Sequence, residues 1–238
     1  MHRANNFTRT IIVTHAALPN VPWQLTGNHW LALPCIHPAN GSIYAVGMLH
    51  RGARAAVEFA GSAGFVNGDG PPLLKPVIQI DGVVQDLSAG MMVWERAAAW
   101  LPTFTCTLGD VVVRGSIFAP YGRDADVAGA VYVFGVESRG ATARRVVVRM
   151  EGTLGYRQLR VRTGRPADDA SRVSKSDAGL VLLEGSAQPG LVALALGADG
   201  DAEITVEGAT FVVARTIDVP AGGTGQAEIG RASCRERV

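Results

Sequence analysis

The chain has 238 residues, 47% hydrophobic and 18% charged, with a formal net charge of +1. That is apolar enough for one large β domain or two small ones, and too apolar for a disordered chain. Without a basic stripe, an RNA-recognition motif or zinc-finger spacing, nucleic acid is not an expected partner, and no apolar run reaches the roughly 20 residues of a membrane-spanning helix.

The opening MHRANNFTRTIIVTHAALP lacks the long apolar core of a secretion signal, so a cytoplasmic location is expected. From there, short β runs alternate with turns. Residues 8–14 (TRTIIVT), 41–49 (GSIYAVGML) and 55–59 are the first candidate strands. Residues 76–80 (PVIQI) run into Asp81-Gly82 and then Val83-Val84, a hairpin signature because Asp-Gly tolerates positive φ. Residues 102–107 and 111–118 form a second hairpin around Leu108-Gly109-Asp110. Residues 130–137 and 144–151 are expected to pair as a third, joined by SRGATA. The polar stretch 163–178 is expected to be a surface loop. Strands at 179–184, 191–196, 203–206 and 210–215 follow. A last hairpin is expected at 215–219, turning through PAGG into residue 224 onward.

One stretch is ambiguous. Residues 87–100 (LSAGMMVWERAAAW) place Leu87, Met91, Trp94 and Ala98 on one face of a helix. Val93 and the flanking aromatics favour a strand, and the strand is preferred. With 29 glycines and no alternation of strands and helices, the expected fold is all-β, a large antiparallel β-sandwich.

No catalytic motif appears, and no catalytic residue is assigned. His29, Cys35 and His37 carry zinc-ligating atoms, but no fourth ligand is evident, so they are expected to be turn residues and no metal or cofactor is implied. Glu58, Glu95, Asp124, Asp126 and Glu137 are carboxylates that a fold can pair for acid–base work. Arg145 and Arg149 fall on one face of their strand, its wet face. The binding candidates are Trp94, Glu95, Trp100 and Tyr121, because flat rings stack on sugars while charged neighbours hydrogen-bond hydroxyls. The competing and preferred role for the tryptophans is filling the space between two sheets. The cysteines, Cys35, Cys106 and Cys234, are odd in number and far apart, which fits reduced thiols better than a disulfide framework.

The end of the chain stands apart. IGRASCRERV, residues 229–238, is the in-frame translation of ATCGGAAGAGCGTCGTGTAGGGAAAGAGTG, which resembles a short-read sequencing adapter. The expectation is a β domain over residues 1–227, cut short at its C-terminal end, followed by a non-native tail at 228–238 with no packed role.

Two segments carry a family resemblance: WLPTFTCTLGDVVVRGSIFAPY (100–121) and AVYVFGVESRGATARRVVVRMEG (130–152), with VPAGG near the end. An aromatic-rich hairpin closing in Phe-Ala-Pro, a strand closing in Val-Glu-Ser, a polar insert and a Val-rich strand resemble an N-terminal β supersandwich domain. Such domains precede the (α/α)6 catalytic barrel of several glycoside hydrolases and sugar phosphorylases. The resemblance implies a non-catalytic scaffold, with the missing barrel as its partner and carbohydrate as the ligand of the whole. The alternative is a stand-alone carbohydrate-binding sandwich with an exposed tryptophan platform.

Overall fold

The computed structural model describes residues 11–12, 26–27, 31–33, 36–50, 55–62, 70–88, 92–98, 101–119, 129–160, 166–168, 171–185, 193–229 and 233–234. These residues form strands and turns without a helix, arranged in four sheets that pack as an antiparallel sandwich. The first sheet runs β1 (Ile11–Ile12), β8 (Val93–Ala97), β9 (Leu101–Leu108), β10 (Val111–Phe118), β11 (Val131–Ser138), β20 (Thr224–Ile229). The second runs β18 (Ala202–Glu207), β19 (Thr210–Val219), β12 (Arg144–Thr153), β6 (Leu74–Ile80), β7 (Val83–Gln85). The third runs β14 (Pro166–Asp168), β13 (Tyr156–Arg160), β5 (Ala55–Ala60), β4 (Ala45–His50), β3 (Leu31–Leu33), β2 (Thr26–Gly27). The fourth runs β15 (Ser171–Lys175), β16 (Val181–Gly185), β17 (Ala193–Leu196), β21 (Ser233–Cys234).

Strand alternation builds the core. In β12, Val146, Val148 and Met150 are buried while Arg145, Val147 and Arg149 alternate outward. Along β10 and β11 the inward residues Val113, Ile117, Tyr132, Phe134 and Val136 join the same buried cluster as Val146, Val213 and Ile217 of the second sheet. Asp81 and Gly82 take φ of 50° and 85°, the pair of positive angles that a two-residue hairpin between β6 and β7 requires. Within the ambiguous stretch, Val93–Ala97 is a strand, β8, paired with β9.

The order of strands departs from the expected hairpins. β11 and β12 are not partners: β11 lies between β10 and β20, and β12 between β19 and β6. The polar insert SRGATA therefore crosses from one sheet to the other. PAGG does the same, because β19 pairs with β12 and β18 while β20 pairs with β11. Both crossings lie at one rim of the sandwich and are bonded together, with Ser138 N donating to Gly223 O at 2.9 Å and Gly222 N to Gly140 O at 3.2 Å. Arg144 clamps the same rim. Its guanidinium reaches Asp81 Oδ2 at 2.9 Å in the β6–β7 turn and Asp110 Oδ2 at 2.5 Å in the β9–β10 turn.

The stretch 163–178 is not simply a loop, since it contains β14 and β15. Its alternation is hidden because Arg172 and Ser174 face away from the core and Val173 supplies the apolar side alone. β20 continues through Glu228 to Ile229, which is 1% exposed and opposite Tyr132. Among the described residues, no helix is long and apolar enough to cross a membrane.

Candidate functional site

Trp94 and Glu95 are neighbours on β8 and therefore serve opposite faces of the first sheet. Trp94 points inward. It is 3% exposed, its Nε1–H donates to Pro38 O at 2.7 Å, and its ring lies 5.3 Å from that of Phe104. Phe104 stands edge-on to Tyr132, which stacks on Phe134 at 4.3 Å. Gly115 lies opposite Phe104 in the ladder, and a Cβ there would stand 2.1 Å from the Phe104 ring. The glycine is thus the slot that the ring fills. Burial pushes the Tyr132 phenol up, and its hydroxyl donates to Gly41 O at 3.3 Å. With its N–H satisfied and its faces covered, Trp94 offers no platform to a sugar. It fills space within the core, the role preferred for the tryptophans. Trp100 and Tyr121 lie outside the described residues.

Glu95 is half-buried on the outer face. Register places it in a row with Thr103, Ser116, Val133 and Glu228 across five strands. The Thr103 and Ser116 hydroxyls are bonded at 2.8 Å. Arg114 lies one row along, paired with Glu137 at 3.2 Å, and Arg139 reaches the same carboxylate at 2.9 Å. The Arg139 guanidinium, with Arg114 behind it, holds the Glu137 carboxyl below the usual carboxylate range.

This face presents the Glu95 and Glu137 carboxylates, with Thr103 buried at 7% exposure, but it does not assemble an acid–base pair. Glu95 on β8 and Glu137 on β11 are three strand spacings apart, about 14 Å laterally before any offset along the strands. Paired glycosidase carboxylates stand roughly 5–9.5 Å apart. Glu58 is on β5 in the third sheet, and Asp124 and Asp126 lie outside the described residues. His37 is buried in a turn, its Nδ1 accepting from Ala39 N at 3.2 Å, while His29 and Cys35 lie outside the described residues. Among the described residues no three His, Cys, Asp or Glu side chains cluster as metal ligands. Cys106 is buried with a free thiol that burial pushes up. Arg149 pairs with Glu151 on the outer face of β12.

Two polar groupings escaped sequence reasoning. The Arg144 clamp joins residues 63 positions apart, a distance no local pattern spans. The second is Glu184 with Arg172 and Ser174 on the β15–β16 hairpin. A carboxylate closing the apolar run VLLE was the available signal, and the polar partner strand concealed it.

No protein-family model matches the sequence, and no curated protein matches it. Solved structures do match, 43 chains in all. One is a protein assigned as a kojibiose phosphorylase, from human microbiome, superposing with a TM-score of 0.61 at 10% identity. The likeness covers 95% of this chain and 32% of that one, so the chain spans about a third of that protein's length. At this identity the likeness is one of fold: the chain has the β-sandwich architecture found within a larger sugar-phosphorylase-like protein.

Proposed function

We propose that this chain is the N-terminal supersandwich scaffold of a carbohydrate-processing enzyme, a glycoside hydrolase or sugar phosphorylase, and that it is not catalytic alone. The observation that carries the proposal is the fold likeness over 95% of this chain to part of a protein three times as long. The dispersed carboxylates of the outer face agree with it. In this reading an (α/α)6 barrel supplies the general acid and its partner, and Glu95 faces that barrel or its sugar.

The parent gene, sequenced without interruption, tests the proposal. About twelve amphipathic helices are expected downstream, and their absence would refute it. Purified chain should release no sugar from a panel of disaccharides, with or without phosphate, whereas the full-length product should turn one over. Phosphate dependence of that turnover separates phosphorylase from hydrolase.

A further inference from the structure

The β15–β16 hairpin carries an unusual side chain on the face turned from the core. Register pairs Arg172 with Glu184 and Ser174 with Leu182, so these four share that face. Val181 and Leu183 point the other way and are fully buried. Glu184 is only 5% exposed although it is on the outward face, and carboxylates are seldom buried without a partner. Its partner is Arg172, Nη2 to Oε2 at 2.9 Å, with Ser174 Oγ at 3.5 Å from the same oxygen. The pair is lopsided: the arginine side chain is 59% exposed and the glutamate 7%. A fixed carboxylate thus lies beneath a solvated guanidinium.

Over the pair opens a depression of about 400 Å³, bounded also by Lys175, Ser176 and Asp177. That lies within the roughly 300–1,000 Å³ of small-ligand sites. Its rim is fixed. Lys175 Nζ donates to Ile204 O of the neighbouring sheet at 3.1 Å, and Ser176 Oγ accepts from Leu180 N at 3.1 Å.

We propose that this depression is a binding subsite for a neutral, hydroxyl-rich ligand, a sugar ring or polyol. Charge decides the class. Arg172 and Lys175 are balanced by Asp177 and Glu184, so an anion meets an arginine already neutralised. A cation finds no cluster of three ligating side chains among the described residues. Hydroxyls, by contrast, suit both halves of the pair, because the carboxylate accepts, the guanidinium donates and the Ser174 hydroxyl does either. The described lining contains no aromatic ring to stack on a sugar face, so binding is weak and set by hydrogen bonds. The subsite belongs to this chain alone and holds whether or not a barrel follows.

Saturation-transfer NMR on the 238-residue chain, with D-glucose and then glycerol as probes, tests this. Saturable binding is expected, weakened roughly tenfold by Arg172→Met and by Glu184→Gln, and several-fold by Ser174→Ala. Val84→Thr, on a distant exposed strand, should bind as the parent does. If Glu184→Gln unfolds, the other two variants decide. Absence of saturable binding by either probe, equal binding by all variants, or displacement of glucose by inorganic phosphate would each overturn the proposal. None of these results bears on the downstream gene, so this subsite and the enzyme reading fail separately.

Discussion

At the scale of single residues, two glycines set the positions of two core rings. A Cβ at Gly115 would meet Phe104 at 2.1 Å, and one at Gly152 would meet Phe211 at 2.0 Å. Both rings are buried, so neither can swing aside cheaply. Gly115→Ala should cost about 1–3 kcal/mol by overpacking, read from the shift in urea midpoint. Phe104→Leu combined with Gly115→Ala should cost less than the two separate effects added together, because the smaller side chain relieves the clash. Acid sensitivity is also local. The Arg145 backbone N–H and the Arg144 guanidinium hold the Asp81 carboxyl below its ordinary value. A group lowered in the folded state stabilises above its unfolded pKa, and that contribution is lost as pH falls through the folded value. Urea midpoints should therefore drop on acidification below about pH 4. Arg144→Met should flatten that drop, and an unchanged acid limb would show that the clamp contributes nothing. Trp94 shows what sequence gives at this scale. Alternation separates it from Glu95, but only the Pro38 carbonyl and the Phe104 ring establish which of the two faces inward.

At the scale of elements, strands were legible and their partners were not. Period-two alternation marks β10, β11 and β12 plainly, because each has a buried face and a wetter one. Sequence adjacency then suggests the wrong neighbours, since SRGATA and PAGG are short enough to be hairpin turns yet change sheets. What settles the pairing is that both edges of β11 are taken, by β10 and β20, which no local pattern reports. The last strand carries a sharp test. Ile229 is buried opposite Tyr132 and bridges Ala198, while Glu228 exchanges hydrogen bonds with Asp199. Removing residues 228–238 should lower the thermal midpoint by about 5–10 °C, from roughly 2–3 kcal/mol of lost burial and ladder bonds. Removing 230–238 should cost less, and equal midpoints for the two truncations would show that Ile229 contributes nothing. Whatever the origin of IGRASCRERV, its first residue packs as a native one would.

At the scale of the whole molecule, one sheet edge carries exposed apolar side chains. β7 closes the second sheet and exposes Val83 at 62% and Val84 at 57%, on a hairpin held rigid by the Asp81–Arg144 contact. Unpaired edges with apolar side chains template association. Val83→Thr with Val84→Thr should leave stability within about 0.5 kcal/mol, since neither side chain is packed. It should also reduce concentration-dependent light scattering, and undiminished scattering would move the blame to another edge. The sandwich class itself was plain from strand count and glycine turns. The four-sheet division was not, because it depends on pairings between distant segments.

The bonded rim of the sandwich has a consequence for solvent access. Turn amides ordinarily trade their hydrogens with water quickly, because nothing shelters them. Here Ser138, Arg139 and Gly222 donate across to the opposite crossing or to the Asp110 carbonyl, so two loops some 80 positions apart share their partners. They should open as one unit and show matched deuterium uptake, slower than at the Gly179 turn, whose amide bonds only within its own hairpin, to Ser176 O.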